Sequence, residues 1–200
     1  PVYLVTREAF YTTIVLSLLI SIAAVLALVL YRRRDPWAGP ILVTALLLAK
    51  CFVDYSTSGL ENPLTHLLLA GLVILLPTEA PGNRRLCLLS LLVGLSLLAR
   101  TDNLLLFGPA LAVAFFRHGQ WRGGIPLVLA GMAPLLAWHA FSIVYYGIPY
   151  PNTALAKLNT GIPAGELAQQ GWRYLANSLR LDPLTLSLTV CGVAAAVVRR

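Results

Sequence analysis

Ala9-Phe-Tyr-Thr-Thr-Ile-Val-Leu-Ser-Leu-Leu-Ile-Ser-Ile-Ala-Ala-Val-Leu-Ala-Leu-Val-Leu-Tyr31 is a run of 23 residues without a charge. As a helix it would extend about 35 Å at 1.5 Å per residue. A bilayer hydrocarbon core is about 30 Å thick. The run predicts a membrane-crossing helix, and it is too long for the apolar core of a secretory signal peptide.

The rest of the chain repeats the pattern. Hydrophobic residues make up 58% of the 200 residues and charged residues 12%, with a mean hydropathy of +0.77. A soluble domain carries about twice that charged fraction. Uncharged or nearly uncharged runs follow at 36–53, 59–77, 86–99, 104–116, 125–146 and 184–198. The expectation is an all-α, polytopic membrane protein of one domain, with about seven transmembrane helices. A polar loop, 147–183, separates the last two. Runs 86–99 and 104–116 are short for full crossings and admit a partial hairpin.

The charges orient the bundle. Arg32-Arg33-Arg34, Arg84-Arg85, Arg117, Arg122 and Arg199-Arg200 fall on one side, with Asp35 and Glu79 the only acids. The other side holds six cations and six acids. Lys and Arg accumulate on cytoplasmic loops, so the first side should be cytoplasmic. The formal net charge of +7 therefore points to topology and not to nucleic acid. Residues 1–8 and loop 147–183 should face outward. The start at Pro1 and the end at Arg199-Arg200 suggest a piece of a longer protein, with an odd number of spans upstream. Cys51, Cys87 and Cys191 offer neither a disulfide framework nor metal spacing.

Ionisable groups at membrane depth are costly unless paired or wetted, so each is a functional candidate. They gather on the outward side. Lys50 and Asp54, one helical turn apart, suit an ion pair; Asp54 also suits a carboxylate base. Ser58 and Glu61 match a capping box, while Glu61 also suits a sugar or metal contact. Arg100-Thr-Asp102-Asn103 reads either as a self-paired turn or as a guanidinium that meets a lipid phosphate, oriented by Asp102. Tyr145-Tyr146-Gly-Ile-Pro-Tyr-Pro-Asn152-Thr-Ala-Leu-Ala-Lys157 reads as an interfacial aromatic belt or as the mouth of a sugar-phosphate cleft. His66 suits a buried histidine, and His118 and His139 have no evident partners. Residues 165–181 suit a surface-lying helix, Leu167, Leu175 and Leu179 opposing Arg173, Asn177 and Arg180. It fits a membrane interface, and fits almost as well a loop helix packed on the bundle.

Four strings together resemble bacterial GT-C glycosyltransferases: Ser56-Thr-Ser-Gly-Leu-Glu61-Asn-Pro-Leu; Ala99-Arg100-Thr-Asp102-Asn-Leu-Leu-Leu; Tyr145-Tyr-Gly147 with Pro151-Asn-Thr153 and Ala156-Lys157; and Gln170-Gly-Trp-Arg-Tyr-Leu with Ser178-Leu-Arg and Asp182-Pro-Leu-Thr185. The resemblance is to the terminal arabinofuranosyltransferases of actinobacterial cell walls and covers about residues 36–190. It implies a multi-pass enzyme of the bacterial cytoplasmic membrane with an extracytoplasmic active face. The implied donor is a polyprenyl-phosphate-linked sugar and the acceptor a cell-envelope glycan. The family's usual Arg-Pro-Asp is here Arg100-Thr101-Asp102, which keeps both charges. The family's acidic catalytic motif is expected upstream of Pro1, leaving Asp54 as the fallback base. Arg100 and Lys157 would bind the donor phosphate; Asp102, Glu61, Tyr146 and Asn152 would orient or hold substrate. No cofactor is certain, and a divalent metal stays open. A transporter or flippase and a non-catalytic scaffold are the competing readings.

Overall fold

The computed structural model describes residues 6–76, 80–149 and 161–198, and among these the fold is all-α, without a strand. The helices are α1 (Ala9–Tyr31), α2 (Ala38–Leu48), α3 (Lys50–Ser56), α4 (Asn62–Leu75), α5 (Asn83–Ala99), α6 (Leu104–His118), α7 (Trp121–Gly131), α8 (Ala133–Tyr146), α9 (Ala164–Leu181) and α10 (Pro183–Val198). A 3-10 turn, Thr101–Asn103, joins α5 to α6.

The expected runs 9–31, 86–99, 104–116 and 184–198 each form one unbroken helix, and the other three differ. Among the described residues, only α1 is by itself long and apolar enough to cross a membrane; the number rises to three if each bent pair is one span. The run expected as a single helix over 36–53 breaks at Ala49 (ψ 102°), and α2 and α3 meet at 78°. No Pro or Gly stands at the break, so nothing local announces it. The run expected over 125–146 begins at Trp121 and bends by 61° between α7 and α8. Here the cause is local: Pro134, in the first turn of α8, has no N–H and crowds the carbonyl four residues back. The run expected at 59–77 forms a helix over Asn62–Leu75 among its described residues, with Pro63 in its first turn, and its last residue lies outside the described ones. Gly119 (φ 72°) and Gly147 (φ 73°) end α6 and α8 in the left-handed conformation that glycine adopts without a Cβ penalty.

α5 is the hub, packing against α4, α6, α7 and α8. Leu86, Leu89 and Val93 of α5 are fully buried, with Leu68 and Leu72 of α4 and Phe107, Leu111 and Ala114 of α6 around them. The α5–α7 crossing is very close: Gly131 sits against Cys87, Ser90 and the backbone of Leu91. α1 packs on α4 through a stripe of small residues, its buried positions being Ser17, Ser21 and Ala24. Most of its large residues are exposed, Leu19, Leu26 and Leu30 among them. The same inversion recurs elsewhere, with Leu105 85% and Val144 88% exposed. At the α1–α4 contact, small residues inside and large apolar residues outside suit helices whose solvent is lipid.

Polar side chains tie the helix ends. Arg85 donates through Nε to the Leu75 carbonyl (2.7 Å) and through its guanidinium to that of Leu76 (3.3 Å), capping α4 from α5. His118, expected without a partner, bonds through Nδ1 to the Pro81 carbonyl at 2.9 Å. His139 bonds its own helix, to the Leu135 carbonyl at 2.8 Å.

Candidate active site

α5 ends at Arg100, whose extended backbone (φ −151°, ψ 127°) turns the chain into the Thr101–Asn103 turn. That reversal folds Asp102 back beneath the guanidinium. Arg100 Nε and Nη2 donate to the two carboxylate oxygens of Asp102 at 3.0 and 2.9 Å, a bidentate pair. Its Nη1 donates to Glu61 Oε1 at 3.2 Å, across 39 residues of sequence. The hydrogen bonds to Asp102 hold the Arg100 guanidinium above its ordinary pKa; the charge of Glu61 adds to the shift and burial opposes it. With both carboxylates ionised the triad carries a charge of −1, not +1.

Asn103 fixes the turn from below. It is buried, and its Nδ2 donates to the Ser96 carbonyl at 3.0 Å and to Thr65 Oγ1 at 3.5 Å. The turn therefore grips both α5 and α4, which carry the other members of the group.

The capping box expected from Ser58 and Glu61 does not form. Glu61 occupies the N-cap of α4 with helical dihedrals and makes no side-chain cap bond; its carboxylate binds Arg100 instead. Ser58 Oγ donates to the Tyr55 carbonyl at 3.0 Å. An i, i+3 spacing permits a cap but does not require one when a guanidinium is within reach.

Asp54 lies on α3, where Lys50 Nζ donates to its Oδ2 at 2.6 Å. Both side chains are more than half exposed, at 55% and 56%, so the pair is accessible. Tyr146 ends α8 in an aromatic cluster: its ring lies edge-on to Tyr145 (4.8 Å between centroids), and Tyr145 stacks on Phe141 (5.3 Å). His66 packs on Phe52 at 5.0 Å. Asn152 and Lys157 lie outside the described residues. Glu61, Arg100 and Asp102 are thus brought together, while Asp54 joins Lys50. Among the described residues no group of three or more His, Cys, Asp or Glu is placed to hold a metal ion.

Asp182 received no role from the sequence. It is buried, and it caps two helices at once. Its Oδ1 accepts the Thr185 N–H at 3.1 Å and its Oδ2 the Thr185 hydroxyl at 2.8 Å, closing the first turn of α10. Oδ2 also accepts the Cys51 N–H at 3.1 Å, from the first turn of α3. The break at Ala49 left that N–H without an intrahelical partner. Bonds from Cys51 and Thr185 pull the Asp182 carboxyl down to about 2. Asp-Pro-x-Thr is a legible N-cap signature; the second cap, 131 residues away, is not.

Over 144 residues, 68% of its length, the chain is 33% identical to the terminal beta-(1->2)-arabinofuranosyltransferase of Mycobacterium tuberculosis. The chain is similar to a glycosyltransferase. It spans 22% of that relative's length. No protein-family profile matches the chain, and no solved structure matches it.

Proposed function

We propose that the chain is part of a membrane glycosyltransferase that moves a sugar from a polyprenyl-phosphate donor to a glycan acceptor at the extracytoplasmic face. Arg100, held between Glu61 and Asp102, carries this reading, together with the similarity to a named glycosyltransferase. The α2–α3 and α7–α8 pairs each count as one bent crossing in a seven-span bundle, with the arginine clusters cytoplasmic and loop 147–183 outward.

The chemistry follows from charge. Departure of a polyprenyl phosphate develops negative charge at headgroup depth, and prepositioned cations stabilise it. Arg100 is rigidly presented by its bidentate pair with Asp102. The single bond to Glu61 is the exchangeable one: a donor phosphate replaces that carboxylate on Nη1, and Lys157 supplies the second cation. Without that exchange the triad would repel the phosphate. The displaced Glu61, or Asp54 as fallback, is then a carboxylate available to an acceptor hydroxyl. Tyr146 and Asn152 hold the sugar. An apolar cleft of about 280 Å³ between α1, α2 and α3, lined by Leu18, Ser21, Leu47 and Phe52 among others, offers room for the lipid tail.

The test uses the full-length protein in proteoliposomes with a polyprenyl-phosphate sugar. Arg100→Ala should lower transfer by about 100-fold or more; unchanged transfer would remove the proposed role. A transporter is the second reading, favoured by the two broken helices, since discontinuous helices line transporter sites. It predicts donor translocation without glycan extension in the same vesicles.

A further inference from the structure

Among the described residues, α9 leaves its apolar face largely open. All 18 of its residues are exposed, among them Leu167, Trp172, Tyr174, Leu175 and Leu179. At about 100° per residue, Leu167, Ala168, Gly171, Leu175, Ser178 and Leu179 form one continuous stripe along the helix. Trp172 and Tyr174, two residues apart and so nearly opposite, fall on its two edges. Glu166, Gln169, Arg173, Asn177 and Arg180 fill the other half.

Three observations decide what covers that stripe. Aromatic side chains with a polar tip sit at both of its margins, where an interface places one end dry and the other wet. Arg173 and Arg180 lie at the centre of the polar half, pointing away from the stripe, so the apolar face and not charge attraction must provide the binding. Finally, α9 runs directly into Asp182, which caps the apolar helix α10, and α9 packs on α10. α9 therefore ends where a helix of mainly apolar residues begins.

We infer that α9 lies flat in the lipid headgroup–acyl boundary of the leaflet that α10 enters, with its Leu167–Leu175–Leu179 stripe in lipid and Arg173, Asn177 and Arg180 in water. The attachment is apolar and indifferent to anionic lipid. Asp182 marks its fixed end: it anchors α9 to α10 and to the first turn of α3, so the helix holds a set depth beside Lys50 and Asp54. This placement stands whether or not sugar transfer is the reaction.

The test is a spin-label scan of the full-length protein in phosphatidylcholine vesicles, with Cys51, Cys87 and Cys191 replaced by Ala. Single cysteines are placed at each position from 167 to 180. Collision rates with oxygen, which concentrates in lipid, and with a neutral nickel chelate, which stays in water, are measured at each. The expected ratio oscillates with the helical period, oxygen-dominated at 168, 175 and 179 and nickel-dominated at 169, 173, 177 and 180. It should keep that phase when phosphatidylglycerol is added. Nickel dominance all round would place α9 in water. Low collision rates with both probes at 168, 175 and 179 would mean that protein covers the stripe. A phase that appears only with phosphatidylglycerol would mean that charge holds the helix. Each of these three results overturns the inference. Because fourteen positions are read, loss of any one variant leaves the pattern decidable.

Discussion

Replacing Gly131 by Ala adds one methyl group where two helix backbones meet. A Cβ built there lies 2.4 Å from the Cys87 carbonyl oxygen, 2.5 Å from Ser90 Cβ and 2.9 Å from the Leu91 nitrogen. Two of the three are backbone atoms of the hub helix α5, which cannot rotate away. Ordinary contact needs about 3.4 Å or more, so α7 must retreat from α5 by about an ångström. Overpacking of that kind costs about 1–3 kcal/mol. Alanine's better helix propensity returns at most about 1 kcal/mol, and less at the last residue of a helix. The net expectation is a loss of about 1–2 kcal/mol, or a factor of about 5–30 in the folding equilibrium. Equilibrium unfolding in mixed micelles titrated with a denaturing detergent measures it. The control is Gly171→Ala in the middle of α9, where nothing lies within 4 Å; it should be neutral or stabilising by up to about 1 kcal/mol. A Gly131→Ala protein as stable as the parent would refute the close crossing of α5 and α7.

Acid should loosen the Asp182 clamp. Its native carboxyl sits at about 2, below the ordinary 3.8. The stabilisation is therefore present above about pH 4 and is lost as pH falls toward 2; Asp182→Asn should abolish that acid dependence in a pH-resolved unfolding series. If Glu61 competes with the donor phosphate for Arg100, Glu61→Gln should lower the KM for donor while kcat falls or stays level, and a raised KM would contradict the exchange. For topology, Gly165→Cys should react with an impermeant thiol reagent from outside and Gly82→Cys only from inside; both sites have open space around a Cβ, and the reverse pattern would invert the bundle.

Helical class was legible because apolar runs of this length have few alternatives. α1 matches its run from Ala9 to Tyr31, since nothing in the segment interrupts it. The bend between α7 and α8 was within reach from Pro134. The break at Ala49 was not, because its supports are tertiary: the packing of α3 on α1 and α4, and Asp182, distant in sequence and silent about its partner. In the same way the spacing of Ser58 and Glu61 suggested a local cap, while tertiary geometry offered Glu61 a guanidinium. Arg100 and Asp102 are two residues apart and their pairing was readable; that Glu61 joins them depends on how α4 packs on α5.

The position of Asp182 has a consequence for how the chain matures. α3 is short, seven residues from Lys50 to Ser56, and its exposed amide is satisfied by a residue synthesised 131 positions later. Until Asp182 is made that bond is missing, and the α2–α3 break rests on the packing of α3 against α1 and α4. The last tie on the bend is then a late event in assembly. A chain cut before Asp182 would leave the Cys51 amide to find another acceptor.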